Sequence, residues 1–395
     1  MASVKVQGLL LLLLSAVLLL SISPTGSEVL DSVMDCSKFF LQQTPPRIPE
    51  VLENGNIQDQ NRYKVICQTL NNSRTFVTVY DTKNKIPVFS ASRYTGCDGG
   101  RPKKEPWKIE PQLEDPGANK DMKETGKSTY NQQAGDIDYK HQSRFDRGHL
   151  LPSSYGCTEN VRRSTFTLTN VVPQIGSFNK GSWKNMETCV KCVMDQFCRD
   201  NNNKREAFVV IGAEPGNNTL NNNTLLNNRV NIPSKMWTAF CCYSSKLGWL
   251  ASAHWGENQD GLNTYLQTKT LAELSRDLEK QFDLFPETQC PLHTTVTEFY
   301  PEVNKNCSCP PPISTTSAPP TTPSTTFVPT STASTTSAPL STTSAPLSTT
   351  SAPLSTTSAP LSTTSGPVST TSTPVSTTST PLSTTSVPFS TSSTP

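Results

Sequence analysis

Twelve cysteines lie between positions 36 and 309, and this 395-residue chain has none elsewhere. Each pair that closes is a crosslink the fold must accommodate, so the folded part is confined to the interval containing them. The count is even, which lets every cysteine pair, although the pairing itself cannot be read from spacing. The crosslinks require an oxidising compartment, and the first residues supply a route to one. Lys5 precedes a twelve-residue run, Leu9 to Leu20, interrupted only by Ser15, and small residues follow towards Ser27. That run fits a signal-peptide core and falls short of the roughly 20 residues a membrane-spanning helix needs. Residues 1–27 are therefore expected to be a signal peptide cleaved near Ser27, and the mature chain to be secreted, extracellular and not inserted in a membrane. The last residues, FSTSSTP, carry no hydrophobic lipid-anchor signal.

Beyond Pro310 the composition changes. STTSAPL recurs every seven residues from Ser334, drifting to STTSGPV, STTSTPV and STTSVPF, with no charge and no cysteine. A heptad period can mark a coiled coil, but a proline in each repeat forbids a continuous helix. The tract also buries too little apolar surface to offset its ordering entropy. Residues 310–395 are expected to form a disordered, O-glycosylated, mucin-like tail. Residues 28–309 then make one disulfide-bonded domain. Sequons at Asn71, Asn217, Asn222 and Asn306 agree with passage through a secretory compartment.

Within that domain, TFVTVY (75–80), IPVFS (86–90), TFTL (165–168), AFVVI (207–211), WTAFCCY (237–243) and WLASAH (249–254) read as strands. In NKGSWKNMETCVKCVMDQFC, Trp183, Met186, Val190, Val193 and Phe197 recur at steps of three or four, which predicts an amphipathic helix. Leu271, Leu274 and Leu278 mark a shorter one. Many strands with few helices predict an α+β fold built on a mainly antiparallel sheet. The Asn-rich stretch 217–228 reads as a surface loop.

A net charge of +2 neither demands nor excludes a nucleic-acid partner. The local pattern says more. In SRFDRGHLLPSS, Asp146, Arg147, Gly148 and His149 stand in a row that buries nothing apolar. Imidazole titrates near neutrality and suits a general base, while guanidinium offers a planar fork for phosphate oxygens. Alone, those four residues are more often a polar turn. They are followed by TLTNVVPQIGSFNKGSWKNMETCVK, which carries Asn170, Pro173-Gln174, Asn179, Gly181, Trp183 and Glu187 at uninterrupted spacing. Taken together the pattern resembles the DNA/RNA non-specific endonucleases, the nucleases with a ββα-metal active-site core. Weaker echoes in PWKIEPQLE, VVIGAEPG and NIPSKMW extend the resemblance over about residues 60–290. The cysteines and the opening EVLDSVMDCSKFF look most like a secreted branch of that family.

The resemblance implies Mg²⁺-dependent cleavage of DNA and/or RNA, with Mn²⁺ or another divalent cation as substitute, leaving 5′-phosphate and 3′-hydroxyl ends. It implies His149 as general base, Asn179 as the direct protein ligand of the ion, and Glu187 holding water around that ion. Magnesium, which dehydrates reluctantly, suits so sparse a donor set. Eight helical residues turn by about 80°, so Asn179 and Glu187 can share one side of a helix. Arg147 would steady the motif or the phosphate, Asp146 would be a local partner, and Asn170 would position the His149 loop. Lys180, Lys184 and Lys191 are candidate phosphate contacts. Where the family often has an arginine one turn beyond the glutamate, this chain has Lys191, which keeps the charge and loses the fork. The family's upstream phosphate-binding arginine has two candidates, Arg93 and Arg101, with Glu105 nearest the aligned position. Cys189, Cys192 and Cys198 hint at zinc, but no fourth ligand closes that spacing. A homodimer is compatible with the resemblance. The competing function is a secreted binding glycoprotein on the same fold with weak or lost turnover.

Overall fold

The computed structural model describes residues 28–309 apart from 97–98, 218–224, 262–264, 279–280, 297–305 and 308. The expected signal peptide, the repeat tail, most of the Asn-rich loop, Asn222 and Cys97 lie outside the described residues.

In chain order, the strands that build the domain are β1 (Val29–Leu30), β2 (Tyr63–Leu70), β3 (Ser73–Asp81), β4 (Ile86–Tyr94), β5 (Phe145–His149), β6 (Val171–Ile175), β7 (Ala207–Glu214), β8 (Lys235–Ser244) and β9 (Gly248–Glu257). Seven of them form one antiparallel sheet in the order β1-β2-β3-β4-β7-β8-β9. The fold is α+β with a large antiparallel sheet, and β5 and β6 form a separate two-stranded ladder.

Alternation across the pleat explains why AFVVI is apolar without a break. Val209 and Ile211 of β7 enter one core, whereas Phe208 and Val210 enter another on the opposite face. After a short helix α1 (Glu159–Ser164) comes helix α2 (Lys184–Phe197). The first core also takes α2 and the β5–β6 ladder, through Val171, Val172, Trp183, Met186, Val190 and Val193. The second takes helix α3 (Leu271–Asp277), through Leu271 and Leu274. Thr270 caps α3, its hydroxyl accepting from the Glu273 N–H at 3.1 Å while Glu273 returns to the Thr270 N–H at 2.8 Å.

One expected strand is absent: TFTL is not in a ladder, and the motif's strand begins later, at Val171. Thr165, Thr167, Thr169 and Asn170 are buried, and their side chains are hydrogen-bonded. The Thr167 hydroxyl donates to the Glu110 carboxylate at 3.0 Å, and Thr169 accepts from Gln68 at 2.8 Å. The Thr165 hydroxyl donates back to the Arg162 carbonyl at 2.8 Å, and local side-chain-to-backbone bonding of this kind competes with strand pairing.

Among the described residues, five disulfides join Cys36 to Cys67, Cys189 to Cys309, Cys192 to Cys307, Cys198 to Cys242 and Cys241 to Cys290. All three cysteines of the zinc-like cluster are thus consumed as disulfides. Among the described residues, no helix is long and apolar enough to cross a membrane.

Candidate active site

The β5–β6 register pairs His149 with Val171, Gly148 with Val172, Arg147 with Pro173 and Asp146 with Gln174. The chain leaves β6 through one short helical turn, Gly176–Phe178, and a wide π-type turn, Asn179–Trp183, before α2 begins at Lys184. Two strands and a helix therefore carry the polar segment of β5 and the Asn179–Glu187 segment to one place. An unbroken α-helix over those eight residues would turn by about 80°. The turn is wider than that, with Gly181 outside helical geometry, yet both side chains line the same cleft. Such π-turns recur at functional sites.

That cleft encloses ≈ 470 Å³, and Asp146, Arg147, His149, Asn179, Lys180, Lys184 and Glu187 all line it. Asp146 organises one wall. Its Oδ2 accepts from Asn179 Nδ2 at 3.0 Å and pairs with Lys180 Nζ at 2.6 Å. With its nitrogen committed to Asp146, Asn179 keeps its oxygen as the atom able to meet a cation.

His149 is held by aromatic rings. Trp107 lies 5.2 Å from it, and Phe166 stands edge-on at 4.8 Å. Its Nε2 is shut off from solvent with no hydrogen-bond partner, so Nδ1 is the nitrogen left to meet water in the cleft. Burial, reinforced by the positive charge of Arg101, lowers His149 to about 3 and keeps the ring neutral. Glu187 moves the other way. Burial raises it to about 8, against the opposing pull of the nearby Trp183 indole and of the charges on Arg101 and Lys184. A carboxylate so placed favours a proton, or a cation in the proton's place.

Gly148 is required by close approach. A Cβ there would sit 2.0 Å from Gln174 Oε1 and 2.5 Å from Gln174 Cβ. Asn170, fully buried, ties the loop beyond His149. Its amide oxygen accepts from the Leu151 N–H at 3.1 Å, and its nitrogen donates to the carbonyls of Leu151 and Thr165 at 3.0 and 3.1 Å.

The arginines divide clearly. Arg101 lines the cleft, its guanidinium 5.1 Å from the centre of the Phe166 ring. Arg93 does not line it: the side chain leaves β4 to pair with Glu206, its Nε 2.7 Å from the carboxylate. Arg147 reaches the cleft wall but is engaged, pairing with Asp136 Oδ1 at 2.5 Å and lying over Trp107 and Tyr139. Lys191 pairs with Asp195 at 2.6 Å and is not among the lining residues. Glu105 is occupied by Lys108 and Arg163. Trp107, Phe166 and Asp136 were not singled out from the sequence. Trp107 stood inside the quoted PWKIEPQLE, and its aromatic side chain was the available signal.

As for a metal, Asn179 and Glu187 offer hard oxygen donors, with Asp146 beside them. Among the described residues, no three His, Cys, Asp or Glu side chains cluster as a closed metal cage. This donor set fits a hard cation that keeps most of its water.

The family model for DNA/RNA non-specific endonuclease matches residues 53–287. Endonuclease domain-containing 1 protein from Homo sapiens is 28% identical over 223 residues, covering 54% of this chain and 40% of that protein. The Mus musculus protein of the same name is 28% identical over 222 residues, with the same coverage. The chain thus spans two-fifths of the length of these relatives. Among solved structures, the EndoG/EndoGI complex, described in terms of EndoG inhibition, gives a TM-score of 0.41 at 16% identity. That match covers 56% of this chain and 88% of the other.

Proposed function

This chain belongs to the DNA/RNA non-specific endonuclease family, and on that premise we propose that it is a secreted, divalent-metal-dependent endonuclease. It hydrolyses phosphodiester bonds of DNA and/or RNA with little sequence preference. The observation supporting this most directly is that His149, Asn179 and Glu187 line one polar cleft together with Arg101.

In this reading His149 takes the proton of the attacking water through Nδ1. The ring is neutral and ready to accept, and a phosphate entering the cleft adds the negative charge that favours the imidazolium. The new bond forms between the water oxygen and phosphorus, the bond to the 3′-oxygen breaks, and that oxygen takes a proton from water, leaving 5′-phosphate and 3′-hydroxyl. Magnesium, or manganese in its place, would be held by the Asn179 oxygen with Glu187 alongside. When bound, it supplies positive charge at the phosphate and the leaving oxygen. Asp146 orients Asn179, Asn170 fixes the loop after His149, and Arg101 and Lys184 meet non-bridging phosphate oxygens. Lys180 contributes charge at the rim. Arg147 acts mainly by bracing Trp107. Secretion is supported by the five disulfides and by the exposure of the sequon residues Asn71, Asn217 and Asn306. The domain is taken to run from 28 to 309, between a cleaved leader and the repeat tail.

The test is digestion of plasmid and RNA with Mg²⁺ against EDTA, for the wild type and for His149→Ala. Loss of a general base costs about 10²–10⁴-fold. A correctly folded His149→Ala protein that nicks plasmid at the wild-type rate would sink the assignment. One observation favours a second reading, a binding glycoprotein with weak turnover. Lys191, where relatives often carry an arginine, is paired with Asp195 away from the cleft. Nucleic acid bound but uncleaved in Mg²⁺ would select that reading.

A further inference from the structure

A second cleft, of ≈ 380 Å³, is lined by Lys140, His141, Arg144 and Phe145 from the segment that leads into β5 and by Asn227 and Asn228 from a distant one. Phe145, Leu226 and Ile232 give it apolar surface. Phe145 opens β5, so one short stretch of chain borders both clefts, residues 144–145 on the second and 146–149 on the first.

Arg144 is exposed and lies over the Phe145 ring, 5.5 Å from its centre, and among the described residues no carboxylate pairs with it. It therefore repeats the arrangement of Arg101 over Phe166, an arginine set against an aromatic ring with donors to spare. The segment beneath it is braced. Gln142 accepts from the Phe145 N–H at 2.8 Å and donates to the carbonyls of Phe145 at 2.7 Å and Tyr139 at 3.2 Å. Across the cleft, Asn227 is fixed by its bond to Asp138 at 2.9 Å. Lys140 is shared with Asp136 at 2.9 Å, which leaves Arg144 as the cation best able to take a phosphate.

A cation beside an aromatic floor, with amide groups opposite, is how proteins hold single-stranded nucleic acid. The charge follows the backbone, and an unstacked base lies on the ring. We propose that this second cleft is a distal subsite for a single-stranded nucleotide, its phosphate on Arg144 and its base against Phe145. Arg144 stands five residues before His149, and at about 3.3 Å per extended residue that is roughly 16 Å. At about 3.4 Å per stacked nucleotide, the subsite lies no more than about five nucleotides from the reacting phosphate. A duplex offers no free base face, so the subsite favours single strands and frayed ends.

The proposal rests on the nuclease reading, and the experiment separates the two. Binding of fluorescent single-stranded DNA 20-mers and 4-mers to the full-length chain is measured by anisotropy in EDTA, across a salt series. The wild type should prefer the 20-mer. Arg144→Ala should reduce that preference about tenfold, the loss expected for one charge-assisted contact. It should also flatten the slope of log affinity against log salt by about 0.7, the value for one phosphate contact on a single strand. Arg144→Lys should keep the slope. Equal affinity of the wild type for both lengths overturns the subsite, as does an Arg144→Ala protein with wild-type preference and slope. So does a loss in Arg144→Lys as complete as that in Arg144→Ala. Cleavage of the same oligonucleotides by the wild type in Mg²⁺ is scored separately, so failure to cleave counts against the nuclease reading and not against the subsite.

Discussion

Gly148→Ala offers the sharpest test of how the site is assembled. The added Cβ would meet Gln174 Oε1 at 2.0 Å and Gln174 Cβ at 2.5 Å. Oε1 is the end of a flexible side chain and can swing away. Cβ cannot, because it is fixed to β6, so the two strands must part by several tenths of an ångström beside His149. Overpacking a buried position in this way costs about 1–3 kcal/mol. A domain of this size loses ~2–3 °C per kcal/mol, which makes the expected fall in Tm about 2–9 °C. The effect on rate should be larger in proportion. His149 follows Gly148 directly, and a misplacement of about 1 Å costs on the order of 10²-fold. Thermal melts and plasmid nicking of the same preparation give both quantities. Adding Gln174→Ala removes the 2.0 Å contact but leaves the one at 2.5 Å, so the double variant should recover only part of the rate. A Gly148→Ala protein with wild-type Tm and wild-type nicking would refute the reasoning.

Two further predictions concern stability. Burial raises Glu187 from 4.5 to about 8, so its contribution is complete below about pH 4.5 and is lost as pH rises through about 8. Below about pH 6.5 the unfolded chain holds protons on His149 and His254 that the folded one, with these groups lowered to about 3 and 4, does not, which offsets the carboxyls. Melts in EDTA should therefore show stability declining from about pH 6.5 to pH 8, and Glu187→Gln should make that decline shallower. Glu110, also raised to about 8, remains in both proteins and leaves a residual slope, and parallel curves would contradict the argument. Replacing Cys192 and Cys307 with serine opens a crosslink spanning 115 residues. That should cost about 2–5 kcal/mol in denaturant unfolding, and an unchanged midpoint would show that the crosslink contributes nothing.

Legibility in the sequence followed the range of the forces involved. The strands of the main sheet were readable where the core covers both faces, as in β7. β2 was missed because Lys64 and Gln68 interrupt its apolar run. Gln68 is nonetheless buried, its Nε2 donating to Thr78 at 3.1 Å and Thr169 at 2.8 Å, and those partners are invisible locally. TFTL was misread for the converse reason, since its threonines look strand-like and are spent on side-chain bonds. In the site, Asp146 to His149 stood out because consecutive polar residues have no packing purpose. The choice between Arg93 and Arg101 as cleft residues had no local signature. Glu206, 113 residues from Arg93, engages one of them, and the ring of Phe166 receives the other.

The pairing of α2 with the end of the domain has a consequence for the order of synthesis. Cys189 and Cys192 follow Glu187 by two and five residues, and their partners emerge 120 and 115 residues later. Cys36 finds Cys67 after only 31 residues, and Cys198 finds Cys242 after 44. A chain made from its N-terminus at about 5–20 residues per second can therefore lock its sheet while the helix carrying Glu187 still has open thiols. The helix of the candidate site is the last described element to be covalently closed, and a nascent chain halted before Cys307 has every lining residue of the cleft without the bolts that hold its glutamate wall.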